Sequence, residues 1–211
     1  MSDKPLDPAF YQDAERWADE VQAVIDAKRL HRPILVGWSM GGRIIGQYLA
    51  VRGAAALGGI NLVSARAVAE PAFSGIAALD LPQAEPWDMG SEIAAASAFL
   101  RACYHRQPSD ADFGAALAYN MVVPAAVLAA LRSWPANAEA AAAAFRALRV
   151  PLLITHGRRD PVVLPAAAEH VASLVPGAEL SWYDDVGHSP FIEEPDRFNR
   201  ELAEFAAGAA G

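Results

Sequence analysis

Apolar positions along the chain change their period several times, and each change marks an element. Ala14, Trp17, Val21, Val24 and Ile25 recur at helical spacing. Asp7-Pro8 ahead of them offers an N-cap and a first-turn proline, so the spacing predicts one helix from about Pro8 to Lys28. Pro33 to Trp38 (PILVGW) is then continuously apolar, the mark of a short strand covered on both faces. A helix from Arg43 to about Arg52 follows, with Ile44, Ile45, Tyr48 and Leu49 as its stripe and Gly53 in the C-cap place. Leu57 to Val63 (LGGINLV) reads as a second buried strand. Strand, helix, strand in this order predicts a parallel βαβ unit.

From Ser64 to Arg149 the rhythm changes. Pro71, Pro82, Pro86 and Pro108 punctuate helical stretches at about Ser91–Tyr104, Asp110–Met121, Pro124–Trp134 and Ala138–Leu148. No convincing strand occurs there, so residues 64–149 read as a helical insert. The α/β alternation then resumes with a strand Val150–Thr155, a helix Pro165–Val175, a strand Ala178–Tyr183 and a closing helix Pro195–Ala207. The predicted fold class is α/β, with a core of residues 1–63 and 150–211 and a parallel sheet of about four strands.

Composition narrows the function classes. The 211 residues are 54% hydrophobic and 20% charged, which suits one domain with a sizeable core and excludes disorder as the main state. No apolar run reaches the roughly 20 residues that span a bilayer. The opening Met-Ser-Asp-Lys-Pro lacks a basic n-region and an apolar h-region, which sets the expectation of a cytoplasmic protein without a leader. The formal charge of -8 and the lack of any basic cluster longer than Lys28-Arg29 or Arg158-Arg159 argue against nucleic acid as a partner. The single cysteine, Cys103, permits no internal disulfide and no cysteine-based zinc site, and reads as a small buried hydrophobe.

The chemistry sits at strand ends. Gly37-Trp38-Ser39-Met40-Gly41 has the G-x-S-x-G pattern directly after a strand and before a helix. Such a turn lifts the serine above the sheet, where Gly37 and Gly41 are expected to leave no room for a β-carbon and Gly42 adds a second small residue where the helix leaves the sheet. The helix start would aim the Met40 N–H at a developing oxyanion. A serine nucleophile needs a base, and the base needs an orienting carboxylate. Asp160 follows the strand Val150–Thr155, and His188 follows the strand Ala178–Tyr183. Parallel sheets collect functional groups at these carboxyl ends. Among the other histidines, His170 falls in a helix, His31 precedes a strand, and His105 lies in the insert. His156 precedes Asp160 and so breaks the expected order of serine, acid, histidine. Asp184 and Asp185 are rival orienting acids. Glu193-Glu194 could suggest a metal, but no second histidine has suitable spacing.

These pieces together resemble the α/β-hydrolase family. The matching segments are Gly-Trp-Ser-Met-Gly-Gly at 37–42, His-Gly-Arg-Arg-Asp-Pro-Val-Val at 156–163 and Gly-His-Ser-Pro-Phe-Ile-Glu-Glu-Pro at 187–195. The resemblance implies Ser39 as nucleophile, His188 as base and acid, Asp160 as orienting carboxylate, and the insert 64–149 as a cap. It implies neither a cofactor nor a metal. The apolar, Ala-rich insert favours a small substrate with a hydrophobic acyl or alcohol group.

One region departs from the family. Nothing before Pro33 reads as a strand, and no His-Gly loop precedes Gly37 to supply a second oxyanion donor. Ser2-Asp3-Lys4-Pro5 matches only the end of the family's Gly-His-Gly-x-Ser-Asp-Lys-Pro. The chain thus resembles an α/β-hydrolase entered partway, with Ile34–Trp38 at a sheet edge. That edge predicts self-association or poor solubility, and weak turnover despite an intact triad. Ester or acyl hydrolysis is the favoured activity. A cofactor-free perhydrolase or haloperoxidase of the same fold, or a non-catalytic fragment, are the alternatives.

Overall fold

A computed structural model describes residues 7–75, 88–135 and 137–209. Its strands are β1 (Ile34–Trp38), β2 (Gly59–Val63), β3 (Leu152–Gly157) and β4 (Glu179–Tyr183). All pair in parallel, in the order β1-β2-β3-β4, as the alternation of apolar runs and helices predicts. β2 and β3 are buried along their whole length, which explains their unbroken apolar character. β1 stands at the sheet edge, as expected for Ile34–Trp38, and so lacks the two-sided burial that its apolar run alone suggests. Val36 is 47% exposed and Trp38 40%, because only β2 pairs with β1 among the described residues.

The helices are α1 (Ala14–Ala27), α2 (Met40–Arg52), α3 (Met89–Ala102), α4 (Asp110–Met121), α5 (Ala125–Arg132), α6 (Ala138–Arg146), α7 (Ala166–Leu174), α8 (Pro190–Glu193) and α9 (Pro195–Ala209). The single first helix expected from Pro8 is two pieces. Asp7 caps a 3-10 turn, Pro8–Tyr11, and Asp13 caps α1 by accepting from the Glu15 N–H. Two good capping residues six apart resolve into two starts. Val24, placed on the apolar stripe by spacing, is 59% exposed.

α2 lies between the sheet, α1 and α6, and seven of its residues are buried. Ile45, Tyr48 and Leu49 join Ile60, Leu62, Ile154, Phe145 and Val171 in the main core. Helices α3 to α6 fill the stretch between β2 and β3, with no strand among the described residues there beyond a single bridge, Ser74 to Val163. β3 runs two residues past the expected Thr155, because His156 and Gly157 continue the ladder opposite Trp182 and Tyr183 of β4. α8 was not expected at all. It is one turn, too short for any periodicity. Pro82, Pro86, Trp87 and the Ser2-Asp3-Lys4-Pro5 segment lie outside the described residues.

Candidate active site

Ser39 closes β1 and caps α2, with φ 53° and ψ -116°. A serine held there stores about 1–3 kcal/mol of backbone strain. The strain is fixed from both sides. The Ser39 N–H donates to Val63 O at 3.0 Å, and its carbonyl accepts from the Gly42 N–H at 3.1 Å. A β-carbon on Gly37 would meet Gly41 backbone at 2.9 Å, and one on Gly42 would meet the Ala65 β-carbon at 2.4 Å. Gly41 corrects the expectation, since a β-carbon there meets nothing within 4 Å. The close approaches are at Gly37 and Gly42, where the turn folds back and where α2 touches the end of β2. Helix α2 begins at Met40, immediately after the serine and three residues before the expected start. The Met40 N–H, at the first helical position, therefore has no intrahelical acceptor and sits at the positive end of the helix dipole.

Asp160 is buried in the loop after β3. Its Oδ1 accepts from the N–H groups of Val162 at 2.8 Å and Val163 at 3.0 Å. Its Oδ2 accepts from Nδ1 of His188 at 2.8 Å. That bond fixes the His188 tautomer and directs the lone pair of Nε2 away from the carboxylate. Nε2 is buried and has no hydrogen-bond partner among the described residues. It is not bonded to Ser39 in this structure. The two are linked through Trp38, the residue before the serine. Trp38 Nε1 donates to His188 O at 2.7 Å, and the two rings lie 5.4 Å apart.

The rival acids have other partners. Asp184 pairs with Arg158 at 2.9 Å and Asp185 with Arg159 at 3.8 Å, both exposed. His156 is nearer than sequence order suggested. It is fully buried, its Nε2 donates to Val163 O at 2.9 Å, and the same nitrogen lies 3.4 Å from Asp160 Oδ2. Burial holds its pKa below the usual imidazole range, so it stands neutral beside the carboxylate. Burial, then the Asp160 charge, pushes the Cys103 thiol up to about 12. It stays protonated, as a buried hydrophobe should.

Three features escaped the sequence reading. The His188 N–H donates to Cys103 O at 3.0 Å, which joins the histidine loop to the end of α3. Trp38 forms part of the histidine's seat. Glu193, weighed only as a metal ligand, instead accepts from the N–H groups of Gly187 and Arg106, both at 2.8 Å. Further along α2, Arg43 stacks over Trp134 at 3.9 Å and donates to Trp134 O at 2.6 Å. Burial, then the neighbouring Arg66 charge, lowers its pKa to about 10. A groove of about 630 Å³ lies elsewhere, between β3–β4 and α9, lined by Leu153, Leu180, Arg197 and Phe205 among others. Ser39, Asp160 and His188 do not line it.

Comparison with known proteins agrees with this architecture. The profile of the Alpha/beta hydrolase family matches residues 2–201. The AB hydrolase superfamily protein YisY of Bacillus subtilis is 28% identical, over 98% of this chain and 77% of its own. A 2-hydroxymuconate semialdehyde hydrolase of a Pseudomonas species is 26% identical, over 99% of this chain and 73% of its own. Among solved structures, the esterase RhEst1 from a Rhodococcus species superposes with a TM-score of 0.88 at 32% identity, over 98% of this chain and 76% of that one. A candidate aryl esterase from Burkholderia cenocepacia gives 0.88 at 34%, over 98% and 75%. Fold and family profile converge, and the chain belongs to the α/β-hydrolase family.

Proposed function

We propose that this chain is a serine hydrolase of ester or related acyl substrates, with Ser39 as nucleophile, His188 as general base and acid, and Asp160 as orienting carboxylate. The observation that carries the reading is the Asp160–His188 hydrogen bond of 2.8 Å, which leaves Nε2 unpartnered one residue's contact from the strained Ser39 turn. In the acylation step Ser39 Oγ attacks the substrate carbonyl carbon while its proton passes to His188 Nε2. The carbonyl π bond opens onto oxygen, and the Met40 N–H stabilises that oxyanion. Collapse of the intermediate breaks the ester C–O bond, and His188 returns the proton to the leaving alkoxide. Water then repeats the sequence on the acyl-serine, releasing acid and free Ser39. Asp160 keeps its charge throughout and stabilises the imidazolium.

Helices α3 to α5 act as the cap in this reading, while α6 packs on α2 in the main core. Two anchors support that role: the Cys103 carbonyl on the histidine loop and the Trp134 stack on Arg43. Exposed apolar side chains on both sides of the serine, Trp38 and Met40, favour an apolar acyl or alcohol group. The esterase activity named for the two solved neighbours points the same way. Among the described residues no single helix is long and apolar enough to cross a membrane. A fluorophosphonate should label the chain, and Ser39→Ala should abolish labelling. Equal labelling of the parent and Ser39→Ala would refute the assignment.

A further inference from the structure

His188 must present Nε2 to Ser39 from a loop that has little regular structure of its own. Tyr183 ends β4, and α8 begins only at Pro190. The ring is oriented by Asp160, but the height of the backbone is a separate matter. Four contacts set it. Trp38 Nε1 donates to His188 O, and the His188 N–H donates to Cys103 O. The Gly187 N–H donates to Glu193 Oε1 at 2.8 Å, while Glu193 Oε2 accepts from the Arg106 N–H at 2.8 Å. Both oxygens of one carboxylate are thus used on main-chain amides of two segments that lie 81 residues apart in sequence, 106 and 187.

The fit between these segments is tight. A β-carbon on Gly187 would lie 2.7 Å from His105 N and 3.2 Å from Glu193 Oε1. The loop therefore rests directly on the chain that leaves α3. Arg106 completes the joint from the outside, with Nη2 donating to Glu193 O at 2.8 Å and to Glu194 Oε1 at 3.2 Å. Amide N–H bonds to an ionised carboxylate are about twice as strong as neutral ones. Glu193 is the one side chain in this joint whose removal frees the Gly187 amide next to the histidine.

We propose that Glu193 is a positioning residue: its carboxylate clips the His188 loop to the helical insert, so that His188 Nε2 stays at the height Ser39 needs. The proposal rests on the Ser39–His188–Asp160 reading. It couples the insert to the reaction, since a shift of residues 103–106 would carry Gly187 and His188 with it. A displacement near 1 Å at a reacting group costs about 10²-fold in rate. The effect belongs in kcat and in serine reactivity, not in KM, because Glu193 acts through the histidine loop and not on the ester.

The test compares parent, Glu193→Ala, Glu193→Gln, Arg106→Ala and His188→Ala by fluorophosphonate labelling rate, by kcat and KM on a p-nitrophenyl ester, and by thermal melting. The downfield imidazole proton of the His188–Asp160 bond, observed by NMR, reports the loop without any turnover. Glu193→Ala is expected to lose about 10²-fold in labelling rate and kcat with KM within about twofold, and to broaden the imidazole proton. Glu193→Gln keeps one acceptor for Gly187 and should recover part of the loss, which also covers a failure of the alanine variant to fold. Arg106→Ala removes only the outer bonds and should lower the melting temperature with kcat nearly unchanged. If the parent is labelled and His188→Ala is not, but Glu193→Ala matches the parent in kcat, labelling and imidazole signal, the clip is structural and the proposal fails alone. If the parent is not labelled, or His188→Ala is labelled at the parent rate, the triad reading fails and takes the proposal with it.

Discussion

Asp160 uses both oxygens, one on two backbone amides and one on His188, and this division predicts what substitutions will do. Asp160→Asn presents an amide where an anion stood, so the imidazole loses its tautomer. Turnover should fall on the order of 10³–10⁴-fold, the scale of such triads. Asp184→Asn and Asp185→Asn break only exposed pairs, worth about 0–1 kcal/mol, and should leave turnover within about twofold. Steady-state kinetics on one ester decide it, and a larger loss in either surface variant would move the acid's role there. His156 makes a separate pH prediction. Burial keeps its folded pKa below the free value of about 6.5. Below about pH 6.5 the unfolded chain binds this proton more readily than the folded one, so the group's stability is full above that pH and is lost as pH falls towards the folded pKa. His156→Gln removes the linkage. The melting-temperature gap between parent and variant should narrow from about pH 7.5 to about pH 5, and a constant gap would contradict the buried neutral state.

At the level of elements, what was legible followed from period and length. β2 and β3 are covered on both faces, so their runs are continuously apolar and easily found. The serine, acid and histidine each follow a strand, and strand ends can be counted along the chain. The break between the Pro8–Tyr11 turn and α1 was hidden, because Asp7 and Asp13 cap equally well and only packing chooses between them. Glu193 was hidden for another reason. Its partners are main-chain amides of residues 106 and 187, which leave no mark in side-chain pattern. The glycines of the turn were half legible. Sequence assigns the tight turn to Gly37 and Gly41 and a small residue to Gly42 where the helix leaves the sheet, and the contacts fall at Gly37 and Gly42 but not at Gly41. Gly42→Ala should therefore cost about 1–3 kcal/mol by forcing α2 off Ala65. Gly41→Ala, in open space within a helix, should be neutral or gain up to about 1 kcal/mol. Chemical denaturation of the two variants separates them, and equal costs would show that α2 does not rest on Ala65.

The whole molecule carries an unbalanced sheet. β3 and β2 are sealed between helices, yet β1 is bonded on one side only among the described residues, and Val36 and Trp38 stand 47% and 40% exposed along it. An edge of five residues with so little charge offers a row of free N–H and C=O groups to another strand. The partner always present is a second copy, and two β1 edges can meet about a two-fold axis because such contacts are self-complementary. Edge pairing between copies would also cover Val36 and hold Trp38, the residue that seats His188, away from water. The expectation is a concentration-dependent dimer in light scattering, with turnover per chain rising as dimer forms. Val36→Lys places a charge on the edge without touching Ser39, and should shift the chain to monomer while its fold, read by circular dichroism, is kept. A parent that stays monomeric up to high concentration, with turnover per chain independent of concentration, would show that the β1 edge is tolerated bare and that Trp38 needs no second molecule to keep His188 in place.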